Sequence, residues 1–142
     1  MDSKLKVLIS DTAPLYPPQW GGPRRIWNLF SNFPQEVFEL TYVGITFEGS
    51  PESKCRHKRI RDNFKEILCV FPPHYFLWHY IEKAILRNTY LDLFLYLAMN
   101  TDWQFKRLLK SQKTEIIICS HPWSWPCIRK KEGQFLIYDA HN

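Results

Sequence analysis

What this sequence lacks narrows it first. Its longest run without a charged residue, Ile67 to Ile81, is broken by Pro72 and Pro73 and falls short of the ~20 apolar residues that a membrane-spanning helix needs. No transmembrane helix is expected. Cysteine is sparse: Cys55, Cys69, Cys119 and Cys127 form no C-x-x-C pair, so neither a disulfide framework nor a zinc-ligand spacing is indicated. The first ten residues, MDSKLKVLIS, carry no apolar stretch of the length a secretory signal uses. Reduced thiols and a cytoplasmic location are the expectation. The five glycines spell neither G-x-G-x-x-G nor a glycine-rich loop ending in G-K-[ST], which removes the usual support for a nicotinamide or Walker-type site.

Hydrophobic residues make up 45% of the 142, enough for a single soluble domain that buries roughly two-thirds of its unfolded surface without staples. Disorder and a fibrous fold are excluded. The 6 Trp, 7 Tyr and 10 Phe exceed what a core of this size needs, so some rings are expected to face a pocket, a partner or lipid. The net charge of +5 gathers partly in Lys54, Arg56, His57, Lys58, Arg59 and Arg61. Such a block suits a solvated loop or an edge strand protected by charge; a phosphate or anionic-lipid surface is the alternative. Nothing beside it repeats the pattern of a nucleic-acid module, and no nucleic-acid partner is expected.

Three short, β-branched apolar runs, Leu5 to Ser10, Glu115 to Ser120 and Phe135 to Asp139, suit parallel strands covered on both faces. Val37 to Ile45 adds a fourth strand and Cys69 to Phe71 a short fifth. Ile26, Leu29, Phe30 and Phe33 fall at helical spacing, with Pro23 in the first turn and Pro34 closing. Tyr75 to Leu86 is a second helical candidate. Leu91, Phe94, Leu95, Ala98, Phe105, Leu108 and Leu109 keep helical spacing through Thr101 and Asp102. The alternation predicts an α/β fold, a Rossmann-like doubly wound parallel sheet with helices on both faces. Asp139-Ala-His-Asn142 lies just beyond a core strand, so a single truncated domain, residues 1–142 of a larger enzyme, is expected.

The first loop, Asp11 to Arg25, runs straight into the helix led by Ile26. Gly21 and Gly22 would let backbone approach a ligand, the helix start favours an anion, and Arg24 and Arg25 add charge. The bland alternative is a tight Gly-Gly-Pro turn. Other candidates carry less. His74 and His79 stand five apart, on different faces of a helix, so no metal site is indicated. Asp11 and Asp139 each close a strand and could meet as a carboxylate pair, although such residues more often serve as turns or caps. Phe71 to Tyr80 is the densest aromatic stretch; its rings either cover the sheet or meet a lipid-linked acceptor or membrane surface.

The run Tyr16-Pro-Pro-Gln-Trp-Gly-Gly-Pro-Arg-Arg-Ile-Trp-Asn-Leu29 resembles the P-P-x-x-G-G loop and first helix of nucleotide-sugar glycosyltransferases of the GT-B architecture, family 4-like. Ile116-Ile-Ile-Cys-Ser-His-Pro-Trp123 resembles their fourth-strand end, and Ile137-Tyr-Asp-Ala-His-Asn142 the next one. In such enzymes the N-terminal domain holds the acceptor and the C-terminal domain grips most of the nucleotide-sugar. The resemblance implies that Gly21 and Gly22 approach the donor diphosphate and that His121 lies near the reacting centre as the catalytic candidate. His141 joins the donor-side candidates from the last of the three segments. Arg24 and Arg25 match no fixed family residue and rest on charge and position alone.

The expected function is therefore the acceptor-side domain of a hexosyltransferase. It would use a nucleotide-diphosphate sugar and a glycan, lipid or small-molecule acceptor, need no cofactor, and be inactive without its second domain. A peripheral contact at the inner membrane surface stays open. The alternatives are a non-enzymatic α/β binding module that recruits a partner and, with least support, an anion-binding regulator built on Lys54 to Arg61.

Overall fold

A computed structural model describes residues 3–48, 54–71, 81, 84–85, 99–100 and 102–139. In chain order the elements are β1 (Leu5–Ser10), α1 (Gly21–Phe30), β2 (Phe38–Thr46), β3 (Cys55–Arg61), β4 (Phe64–Val70), α2 (Trp103–Ser111), β5 (Ile116–Cys119), a 3-10 helix (Pro122–Cys127) and β6 (Phe135–Tyr138). The six strands form one sheet in the order β3-β4-β2-β1-β5-β6. All neighbours run parallel except β3, which pairs antiparallel with β4. From β1, mid-sheet, the chain adds β2 beside it, runs to the far edge as β3 and turns back as β4 between β3 and β2, then crosses to the other side of β1 with β5 and β6. Strand order thus reverses between β1 and β5, and a crevice at the carboxyl ends of such strands is where α/β sheets bind ligands.

The period of two along β1 divides the core between two faces. Val7 and Ile9 pack with Ile26 and Phe30 of α1, Tyr42 and Phe64. Leu8 turns the other way and joins Phe105 and Leu109 of α2, Val43, Ile67 and Phe71. Helices therefore cover both faces, and the Rossmann-like α/β class holds.

Several expectations shift in detail. The sheet is mixed, because the basic block is the antiparallel edge strand β3, its charged side chains mostly exposed. The short strand expected at Cys69 is the end of the seven-residue β4; Lys65 and Glu66 interrupt its apolar run and hide it in the sequence. β6 is not covered on both faces. It is the other edge strand, with Phe135 70% and Ile137 48% exposed. Helix α1 ends at Phe30, short of Pro34, and Leu29 of its expected apolar face is exposed. Phe33 still packs edge-on against Phe30, ring centroids 5.2 Å apart.

Helical spacing does not continue through Asp102. That residue adopts an extended conformation, and its carboxylate accepts the Phe105 N–H at 2.8 Å, capping a fresh helix. Leu91 to Ala98, the stretch from Pro72 to Tyr80 with His74 and His79, and Ala140 to Asn142 with His141 lie outside the described residues. Of the candidate helix from Tyr75 to Leu86, the structure describes Ile81, Ala84 and Ile85, all helical. No helix among the described residues is long and apolar enough to cross a membrane.

Candidate functional site

The loop from Asp11 to Trp20 is held from below by β2 and β4. Glu66, 1% exposed, points up from β4 and accepts the backbone N–H of Leu15 at 2.6 Å and of Tyr16 at 3.2 Å. The Tyr42 hydroxyl donates to the Ala13 carbonyl at 2.6 Å. Gly44, two residues on, leaves no room for a side chain: a Cβ there would overlap the Ala13 carbonyl oxygen. The side chain of Leu15 plugs fully into the α1-side core. The Tyr16–Pro17 peptide is cis. Burial raises the Glu66 pKa above the usual carboxylate value, although the two amides and the charges of Lys58 and Arg56 work against it. Burial, with the charges of Asp11 and Glu66, also holds the Tyr42 hydroxyl well above its ordinary value. It therefore remains a proton donor throughout the neutral range.

From this anchored loop the chain enters α1. Trp20 occupies the N-cap in an extended conformation and offers no side-chain acceptor to the first turn, so the leading amides of the helix face outward. A Cβ at Gly21 or Gly22 would meet nothing within 4 Å. Neither glycine is required by a neighbouring atom or by a left-handed backbone. Pro23 follows, buried, where its missing N–H is harmless.

The two arginines part ways. Arg24 is exposed, with its Nε 3.4 Å from the Pro18 carbonyl. Arg25 forks onto Asp139, Nη1 to Oδ2 at 3.0 Å and Nη2 to Oδ1 at 2.7 Å, and so ties α1 to the end of β6. Asp139 is thereby engaged as an ion-pair partner. Asp11 accepts the Thr12 amide at 2.5 Å, a turn-forming role, and also hydrogen-bonds the Tyr42 hydroxyl.

His121 follows β5 and caps the 3-10 helix, its Nδ1 accepting the Trp123 N–H at 3.4 Å. A neutral imidazole that accepts at Nδ1 carries its proton at Nε2. At the reversal point between β1 and β5, Ser120 donates its backbone N–H to the Ser10 carbonyl at 2.9 Å. Both serine hydroxyls are buried and have no hydrogen-bond partner among the described residues.

Beside the loop opens a cleft of about 810 Å³, within the usual range for small-molecule sites. Tyr16, Trp20 and Phe47 line it together with Arg56, His57 and Lys58, and Glu66 reaches its floor. All three rings are substantially exposed. The Lys58 ammonium stands 4.8 Å from the Tyr16 ring centroid, and the Arg56 guanidinium lies 3.4 Å from the Glu48 carbonyl. Among the described residues no group of His, Cys, Asp or Glu could hold a metal ion.

Sequence reasoning missed Glu66, Tyr42, Gly44 and the two serines. A carboxylate inside the run F-K-E-I-L-C-V was a usable signal for Glu66. Gly44 inside a strand was another, since such a glycine often marks close backbone approach.

No known family model matches the chain, and no curated protein matches it by sequence. Solved structures do resemble it. The E. coli trehalose-6-phosphate protein bound with UDP-2-fluoro glucose superposes with a TM-score of 0.57 at 12% identity, covering 86% of this chain and 29% of that one. The apo structure of OtsA gives a TM-score of 0.49 at 15% identity, with 87% and 29% covered. At such identities the first likeness establishes a shared Rossmann-like fold over less than a third of the neighbour's length.

Proposed function

We propose that this chain is the acceptor-side domain of a nucleotide-sugar glycosyltransferase. One observation carries the proposal: α1 begins, at the carboxyl edge of the sheet, with two glycines that no contact among the described residues requires and with amides that no side chain caps. That is a receptive surface for a diphosphate. Helix-start amides stabilise an anion by ~0.3–1 kcal/mol when exposed and more when desolvated. In glycosyl transfer, negative charge develops on the departing diphosphate, so donors aimed there act on the transition state. His121, at the end of the strand next to β1, is positioned to orient the sugar or the attacking hydroxyl. The neighbouring cleft takes the acceptor, with Tyr16 and Trp20 offering ring faces to a sugar and Arg56 and Lys58 meeting an anionic substituent. Base and ribose contacts come from a second domain, and closure of the two brings donor and acceptor together.

Titration of the 142-residue chain with uridine diphosphate glucose, followed by Trp20 fluorescence against a Trp20→Phe control, tests this division of the site. Weak, saturable binding that Gly22→Val abolishes is expected. A low-micromolar dissociation constant, ~8 kcal/mol from this domain alone, would contradict the divided site. Binding unaffected by Gly22→Val would move the diphosphate elsewhere.

A further inference from the structure

Cys55 and Cys69 face each other across β3 and β4, at the outer edge of the sheet. Their Sγ atoms are 3.9 Å apart, and both are free thiols. The Val70 N–H donates to the Lys54 carbonyl at 3.2 Å, so Lys54 and Val70 are a hydrogen-bonded pair and the next pair, Cys55 with Cys69, is a non-hydrogen-bonded one. Such pairs hold their Cα atoms ~4.5 Å apart, with side chains approaching closely. That separation lies inside the range a disulfide spans. Rotation about the two Cα–Cβ bonds is the movement that closing this 3.9 Å gap calls for.

The two thiols differ in access. Cys69 is 1% exposed and packs in the α2-side core; Cys55 is half-buried against the same cluster. Burial, reinforced by Cys55, raises the Cys69 pKa far above the ordinary thiol value, which leaves Cys55 as the point of attack. Cys119 and Cys127 lie buried against Ser124 and the Met99 carbonyl respectively.

We propose that Cys55 and Cys69 form a dithiol modification site that takes low-molecular-weight disulfides, of the oxidised glutathione class, and closes to a cross-strand disulfide. The Cys55 thiolate attacks one sulfur of the oxidant; the oxidant's S–S bond breaks, one thiolate leaves and takes a proton, and a mixed disulfide remains on Cys55. Cys69 then attacks the Cys55 sulfur, passes its proton to the second departing thiolate and releases it. Two protein thiols are oxidised and one disulfide is reduced to two thiols. The new bond pins a strand whose only sheet neighbour among the described residues is β4, and that strand carries Arg56 and Lys58 into the cleft. The proposal is independent of the enzymatic function.

The test is to incubate the folded chain with oxidised glutathione, block remaining thiols with iodoacetamide under denaturing conditions, and map tryptic peptides. Arg56 and Lys65 separate the two cysteines for cleavage. Expected are a Cys55–Cys69 linked peptide, alkylated Cys119 and Cys127, and a melting temperature raised by roughly 5–15 °C, from closing a short loop in the unfolded chain. Cys69→Ser should trap glutathione on Cys55, and Cys55→Ser should leave Cys69 unmodified. Alkylation of both Cys55 and Cys69 in the oxidised wild type would overturn the proposal. So would an end point at the mixed disulfide, or linkage to Cys119 or Cys127. The wild-type map decides even where a serine variant fails to fold.

Discussion

The carboxylate of Glu66 accepts the backbone N–H of Leu15 at 2.6 Å, joining residues 51 positions apart in the chain. This one bond, with its companion to Tyr16, sets the height of the first loop above the sheet and thereby the point at which α1 begins. Removing the acceptor by Glu66→Ala strands two amides and should destabilise the domain by about 2–5 kcal/mol, read by urea denaturation. Glu66→Gln keeps an acceptor oxygen and should remain within about 1 kcal/mol of wild type. The pH dependence has a definite sign. Because the folded pKa is raised, ionising Glu66 opposes folding, and the wild type loses stability relative to Glu66→Gln as pH rises from the unfolded carboxylate value through the folded one. An opposite trend would show that Glu66 is stabilised as the anion.

Gly44 and Gly22 should respond oppositely to the same change. Gly44→Ala drives a methyl group into the Ala13 carbonyl and the Tyr42 ring, and should cost about 1–3 kcal/mol of stability as the loop is pushed off its seat. Gly22→Ala enters open space in the first turn of a helix and should leave the melting temperature unchanged or slightly raised. Equal losses at both positions would mean that Gly22 is a structural turn residue.

Arg25 and Asp139 connect α1 to β6 through a bidentate pair that is partly open to solvent, with side-chain exposures of 40% and 18%. A double-mutant cycle with Arg25→Met and Asp139→Asn should return a coupling of about 0.5–1.5 kcal/mol after screening, falling as salt is added. No coupling would place this pair among ion pairs of no consequence for stability.

How much of this was legible in the sequence depended on the environment of each segment. β1 and β5 are short, β-branched and surrounded, so their apolar runs pointed directly to buried parallel strands. β6 has the same composition, yet it lies at the edge; composition does not say which strand has a neighbour on only one side. β4 was obscured because its buried Glu66 and half-buried Lys65 look like the polar residues of a loop, and only the loop amides above Glu66 explain a carboxylate there. Although the expected loop ran to Arg25 whereas the helix begins at Gly21, a helix start near Pro23 was visible from Gly-Gly-Pro. The diversion of Arg25 to Asp139, 114 residues away, was not, since a long-range ion pair leaves no local trace.

On the proposed function, His121→Ala in a protein that joins this chain to a donor-binding domain should lower turnover by roughly 10- to 100-fold, on the order of 1.4–2.8 kcal/mol of transition-state stabilisation. The fold should survive, because the ring is half-buried and its Nδ1 caps a short 3-10 helix. Unchanged turnover would assign His121 to capping alone.

The most direct measurement is a ¹⁵N–¹H correlation spectrum of the chain titrated with inorganic pyrophosphate and then with uridine diphosphate glucose. If the start of α1 receives the donor diphosphate, the amide resonances of Gly21 and Gly22 shift most with both ligands, and Gly22→Val removes the response while the rest of the spectrum stays folded. Shifts confined to the cations of β3, with Gly21 and Gly22 unmoved, would contradict the assignment of the diphosphate to this helix.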